Sequence, residues 1–273
     1  MIERKENKIK DFYSDYDDRI VDKRFNSPYP LRRYTTRAIF NSIFKYIGGE
    51  DKNILDAGCG DGIAAVVIVQ KYPAANITGL DISKPNIKRA REYAERNNIN
   101  NTQFVLGDAE NLPFKDDSFD LVISSQVLEH LPSFDKGLKE IYRVTKKKAI
   151  ITLPTPLNLC AISLLGGAEY WHLRKRSVIA IPLGFIRLIL HIFNDGVDEH
   201  YAGKKELPHV WRYPWVIKRN LKEAGFKIIK FEACSLCFPY FNFFLPLTKF
   251  LDKFKSKPIL RNFGYGTTYI LEK

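Results

Sequence analysis

Between residues 53 and 153, short unbroken apolar runs alternate with stripes of helical period. NILDA reads as a buried strand and GIAAVVIVQKY as the helix after it. NITGLDI is a second strand. Ser83 can cap the next helix, with Pro85 at its start and KRAREYAERN as its body. TQFVLGD and SFDLVISS are the third and fourth strands, a helix runs from about Asp135 to Thr145, and KAIITLP is the fifth strand. Strand and helix in this rhythm predict an α/β fold of right-handed βαβ units around a parallel sheet.

The rhythm breaks after Pro154. Residues 155 to 213 carry helical and irregular signals and no clear strand. Order returns with PWVIKRNLKEAGF, an amphipathic helix ending at Gly225, then KIIKFEA as a strand. Residues 236 to 257 mix aromatic and basic side chains, and YGTTYILEK is a closing strand. Four regions follow: an N-terminal helical lid (1–48), a ligand-binding core (49–154), a hydrophobic and basic insertion (155–212), and a C-terminal helix and strands (213–273) that complete the sheet.

The 273 residues suit one large domain with an insertion. A net charge of +12 fits an anionic partner, or simply a lysine-rich composition. Cys59, Cys160, Cys234 and Cys237 form no secreted disulfide framework, and the lone CxxC of Cys234 and Cys237 does not suit zinc, so those two are expected as buried thiols. The N-terminus MIERKENKIKDFYSDYDD has no apolar core, and no run reaches the roughly 18 apolar residues of a spanning helix. The expected location is therefore cytoplasmic, with the inner face of the membrane as a second station.

The stretch ILDAGCGDG (54–62) holds the candidate chemistry. Gly58, Gly60 and Gly62 remove the Cβ atoms that would keep a ligand from the backbone, at the first strand–helix turn where open parallel sheets bind ligands. The spacing is GxGxG, neither the dinucleotide GxGxxG nor a Walker loop. Asp56 would repel a pyrophosphate and suits a cationic ligand. Asp81, ending the second strand beside Ile82, can accept hydrogen bonds from both ribose hydroxyls. Asp108, beside the amide of Ala109, can read an adenine edge. Three acids at successive strand ends describe a cationic adenosine with a free ribose.

These motifs resemble the class I S-adenosylmethionine-dependent methyltransferases, close to the small-molecule enzymes of ubiquinone and menaquinone biosynthesis (type 11). The matching stretches are ILDAGCGDG, GLDIS, GDAENLPFKDDSFDLVISSQVLEHL and LKEAGFKII. The resemblance implies a Rossmann-like, seven-stranded, mostly parallel sheet with an antiparallel last strand, and S-adenosyl-L-methionine as cofactor. It gives Asp56 and the loop Gly58, Cys59, Gly60 the methionine part, Asp81 the ribose, and Asp108 with Ala109 the adenine. Ser125 and Gln126 would line the sulfonium region. An N-terminal Tyr16 or Arg33 would meet the cofactor carboxylate.

A base is needed only if the acceptor must lose a proton. His130 (in LEHL), His200 and His209 are candidates, and Glu129 is another; no metal cluster is evident. Base-methylating relatives carry [DN]PP[YF] where this chain reads SSQV, which disfavours a nucleic-acid acceptor, although +12 keeps an RNA methyltransferase as the alternative. A non-catalytic protein using the same fold is a third reading. VIAIPLGFIRLILHIF (178–193), with Arg187 and His191 on one face, and LCFPYFNFFLPLTKFLDKFKSK (236–257) suit a peripheral membrane contact, a cap over an apolar acceptor, or a homodimer interface. The expected acceptor is a small apolar or lipid-linked molecule such as a quinone precursor, a lipid or a polyprenyl-linked glycan.

Overall fold

The computed structural model describes residues 9–15, 20–167, 176–200, 208–237 and 242–273. Its centre is a seven-stranded sheet. The strands are β1 (Asn53–Ala57), β2 (Asn76–Asp81), β3 (Thr102–Leu106), β4 (Phe119–Ser125), β5 (Thr145–Pro154), β8 (Lys227–Ala233) and β9 (Gly266–Glu272), in the order β3-β2-β1-β4-β5-β9-β8. β1 to β5 pair in parallel, while β9 runs antiparallel between β5 and β8. The expected architecture, antiparallel last strand included, is the one observed. The order reverses between β1 and β4, which opens a crevice at their carboxyl ends.

Both faces of the sheet are covered, so the central strands are mostly apolar. Successive side chains of a strand alternate between faces. Leu55 and Ala57 face α5 (Phe134–Val144) and α8 (Pro214–Glu223) through Leu138, Ile141, Ile217 and Leu221. Ile54 faces α3 (Ile63–Lys71), α4 (Lys84–Arg96) and the end of α2 (Pro30–Phe44), meeting Val66, Ala90 and Ile43. Ser83 caps α4 as expected, accepting from the Asn86 amide at 3.2 Å. A short helix α1 (Ile20–Phe25) precedes α2. All four cysteines are free and buried.

The insertion departs from expectation. Besides α6 (Leu159–Leu165) and α7 (Arg176–Leu190), it contains an antiparallel ribbon, β6 (Gly196–His200) with β7 (Pro208–Arg212). GVDEH and PHVWR carry no run of strand-forming residues. They are extended because the paired Val197 and Trp211 bury their side chains in a third core with Leu31, Leu165, Leu188 and Tyr213. In LEHL, Leu128–His130 form a single turn of 3-10 helix. Pro132 disfavours helix at Leu131, and α5 starts only after its Ser133 cap.

The greasy helix α7 packs Ala180 and Leu188 inward and leaves Leu183, Ile186, Ile189 and Leu190 exposed. Arg187 donates to the Leu165 carbonyl of α6 at 3.2 Å, tying the two helices together, and His191 contacts the Arg187 carbonyl at 2.8 Å. Among the described residues, no helix is long and apolar enough to cross a membrane.

Candidate active site

The glycine loop joins β1 to α3 with Gly58, Gly60 and Gly62 all at positive φ (+87°, +54° and +76°). The amides of Gly58 and Cys59 both donate to the Leu80 carbonyl (2.7 and 2.9 Å), which ties the loop to β2. A Cβ at Gly58 would sit 2.2 Å from Val127 Cγ2, whereas one at Gly60 would meet nothing within 4 Å. The loop is therefore clamped beneath Val127 and open above Gly60.

Carboxylates surround that opening. Asp56 is 3% exposed and its Oδ2 has no hydrogen-bond partner. Burial, then the charges of Asp81 and Asp61, push its pKa up to about 7. Asp81 accepts the Gly60 amide on Oδ2 (2.8 Å) and the Ser83 amide on Oδ1 (2.9 Å), with Asn86 at 3.3 Å. Burial still raises its pKa against those donors. Ile82, half-buried, separates Asp81 from the Ser83 cap. Crowded carboxylates in a site of low dielectric favour a cation. An unpartnered buried oxygen, an open cradle and this donor set together fit a cationic ligand whose neutral hydroxyls reach Asp81.

Asp108 and Ala109 follow β3 at the same edge. The Asp108 carboxylate accepts the Glu110 amide (2.8 Å) and pairs with Lys10 (2.7 Å), which also pairs with Glu110 (2.9 Å). Sequence reasoning missed Lys10, because nothing local links it to residues about a hundred positions away. At the end of β4, Ser125 leads into Gln126, a non-glycine residue at φ +59° whose buried Nε2 lacks a partner. Such a backbone outlier persists only where its surroundings hold it, and it clusters at functional sites. Tyr16 lies outside the described residues. Arg33 donates to the Ser27 carbonyl, six residues back, at the start of its own helix.

Val127, which clamps Gly58, belongs to the turn that also carries Glu129 and His130. The His130 ring stacks on that of His209 from β7, with centroids 4.3 Å apart and planes 6° apart. Tyr13 OH lies 2.8 Å from His130 Nδ1. Trp211 Nε1 donates to His209 Nε2 at 3.2 Å, so the neutral His209 carries its proton on Nδ1. Burial, then Arg24, lowers the His209 pKa to about 3. Burial, then His209 and Arg24, holds His130 well below its ordinary value. Glu129 is buried, and desolvation raises its pKa to about 8. The fold thus joins two of the predicted histidines through the insertion. His200 ends β6 opposite Pro208.

Glu129, His130 and His209 also place ligand atoms within 4.8 Å of one another, a set the sequence did not reveal as a metal candidate. Imidazole lone pairs lie in the ring plane, and two parallel planes do not converge on one ion. One nitrogen of each ring is already engaged by Tyr13 or Trp211. As arranged, the cluster is better suited to polar contact with an organic molecule.

Residues 49–170 match the family model described as "Methyltransferase domain". That match covers less than half of the chain, and the seven-stranded sheet has the fold of solved methyltransferases. The fatty-acid O-methyltransferase of Mycolicibacterium smegmatis is 35% identical over 116 residues, 42% of this chain and 41% of that protein. A sterol 24-C-methyltransferase of Gibberella zeae is 41% identical over 98 residues, 36% of this chain and 26% of that protein. The matched segments thus span less than half of these curated relatives. Among solved structures, magnesium protoporphyrin IX methyltransferase of Synechocystis PCC 6803 with bound SAH superposes with a TM-score of 0.59 at 14% identity, covering 98% of this chain and 99% of that one. At that identity the likeness speaks for the fold alone.

Proposed function

We propose that the protein transfers a methyl group from S-adenosyl-L-methionine to a lipid-like acceptor. The observation that carries the reading is the unpartnered Oδ2 of Asp56 beside Asp81 and the open Gly60 cradle. When bound, the cofactor supplies an electrophilic methyl on a positively charged sulfur. Asp56 would hold the cationic methionine part with the amides around Gly60, Asp81 the ribose, and Asp108 with Ala109 the adenine. Ser125 and Gln126 would line the methyl-bearing region, and Arg33 or Tyr16 would reach the cofactor carboxylate. Positioning supplies most of the catalysis in a direct displacement.

The acceptor would lie between the β4 turn and the insertion. Neutral His130 can take a hydroxyl proton or orient the acceptor, His209 can orient it by donating from Nδ1, and protonated Glu129 can donate a hydrogen bond. Residues 1–48 are read as a lid, a role supported by the contacts of Lys10 and Tyr13 with Asp108 and His130. Residues 155–212 are read as the acceptor-selecting cap. The relatives' fatty-acid and sterol names support a lipid-like molecule over a nucleobase. Residence at the inner face of a membrane, or a homodimer, would suit such an acceptor.

Calorimetry with S-adenosyl-L-methionine tests the donor; absence of binding would end the reading. Incubation with labelled cofactor and a fractionated extract tests the acceptor. Label in the lipid fraction is expected. Label in RNA, with binding that weakens steeply as salt rises, would favour the RNA alternative raised by the +12 charge. Cofactor binding without turnover on any fraction would favour a non-catalytic role.

A further inference from the structure

Residues 242–263 carry a helical segment whose polar side faces the protein and whose apolar side faces out. α9 (Leu245–Leu251) continues into a tight turn, Asp252–Phe254. On its inner side Thr248 is fully buried. Asp252 accepts from Tyr34 OH (2.9 Å), Ser235 Oγ (2.9 Å) and the Leu236 amide (2.6 Å). Lys255 donates to the Cys234 carbonyl (2.7 Å) and Ser256 to Glu232 (3.0 Å). Positions 248, 252 and 255 share one helical face.

Leu247, Phe250 and Phe254 share the opposite face, 40%, 54% and 38% exposed, and Ile259 and Phe263 follow at 74% and 43%. The Phe250 and Phe254 rings meet each other 5.6 Å apart. A lone exposed phenylalanine is ordinary; a stripe held outward by a buried polar anchor is not. Exposed Lys249, Lys253 and Lys257 flank the stripe. The single acid among residues 242–263, Asp252, is turned inward.

We infer that this segment docks the protein on an anionic phospholipid surface. Leu247, Phe250 and Phe254 enter the boundary between headgroups and acyl chains, and the three lysines meet lipid phosphates. A second copy placed symmetrically on the same face would bring lysines against lysines, which disfavours a homodimer there. The inference rests on this segment and not on methyl transfer. It adds to that reading a route by which an acceptor leaves a bilayer for the site.

The test is flotation of the full chain with vesicles of phosphatidylcholine alone and of phosphatidylcholine with about 30% phosphatidylglycerol. Wild type is expected to float with the anionic vesicles and not with the neutral ones. Phe250→Ser with Phe254→Ser, and separately Lys249→Glu with Lys253→Glu, should each weaken partition roughly tenfold. Calorimetric cofactor binding should stay unchanged, because none of the altered residues belongs to the proposed cofactor site, and a melting curve reports whether each variant is folded. Failure of wild type to float with either vesicle overturns the inference, as does flotation of both variants like wild type. So does a wild-type dimer that the phenylalanine variant dissociates, which would assign the stripe to a second copy. Cofactor binding is read on the same samples, so loss of the methyl-transfer reading is separable from loss of this one.

Discussion

His130 and His209 lie face to face, 4.3 Å between ring centroids, joining the end of β4 to a ribbon nearly eighty residues further along the chain. Both are held neutral, and Glu129 in the same turn is held protonated, with a pKa of about 8.

These shifts make opposite contributions to stability. The His209 pKa is depressed to about 3, so below about 6.5 the unfolded chain binds more protons and stability is lost as pH falls. The Glu129 pKa is raised, so stability is lost as pH rises from its ordinary value through about 8. Denaturant unfolding at pH 5 and pH 8 separates the two by difference. His209→Phe should gain about 2 kcal/mol on wild type in going from pH 8 to pH 5. Glu129→Gln should gain a similar or larger amount in going from pH 5 to pH 8. Parallel curves for wild type and variants would contradict the buried, uncharged cluster.

Asp56 couples cofactor affinity to pH. Its carboxylate titrates near 7 without ligand, and only the ionised form attracts a cation. Affinity for S-adenosyl-L-methionine should fall by up to about tenfold per unit as pH drops below 7. Asp56→Asn should bind weakly and lose this dependence. Calorimetry across pH 6 to 8 measures both.

Gly58 and Gly60 should fail differently when replaced. Gly60→Ala should fold at a cost of about 1 kcal/mol, because its Cβ enters open space at a left-handed backbone. The same Cβ should then weaken cofactor binding strongly. Gly58→Ala drives a methyl into Val127 and should lower the melting temperature itself. Thermal melts beside calorimetry distinguish a lost ligand site from a lost fold.

Asp81→Ala removes the acceptor of the Gly60 and Ser83 amides as well as the proposed ribose partner. Cofactor binding should weaken by about 2–4 kcal/mol, part of it through a loosened loop. Asp81→Asn keeps one acceptor oxygen and should recover part of the loss.

The β1 loop, Asp81 and the succession of strands along the chain were legible in the sequence because each rests on a short run: an apolar strand, a glycine turn, a capped helix. The partners of the site were not. Lys10 reaches Asp108, Tyr13 reaches His130 and Trp211 holds His209 only after the sheet has closed, and no local spacing encodes those contacts. The ribbon β6–β7 escaped for a related reason: one valine and one tryptophan hold it extended against a core contributed by other elements. LEHL forms only a single 3-10 turn, because Pro132 disfavours helix at the residue before it.

Among the described residues β9 is the sole sheet neighbour of β8, and it lies between β8 and β5. The strands therefore cannot enter the sheet in the order in which a ribosome delivers them. β8 emerges with its pairing edge bare, and Phe231 lacks its stacking partner until Tyr269 arrives. During that interval β5 also presents an unfilled edge. A nascent chain in this state is the form most in need of a chaperone, and the last registered pairing, Lys148 with Glu272, ends the exposure.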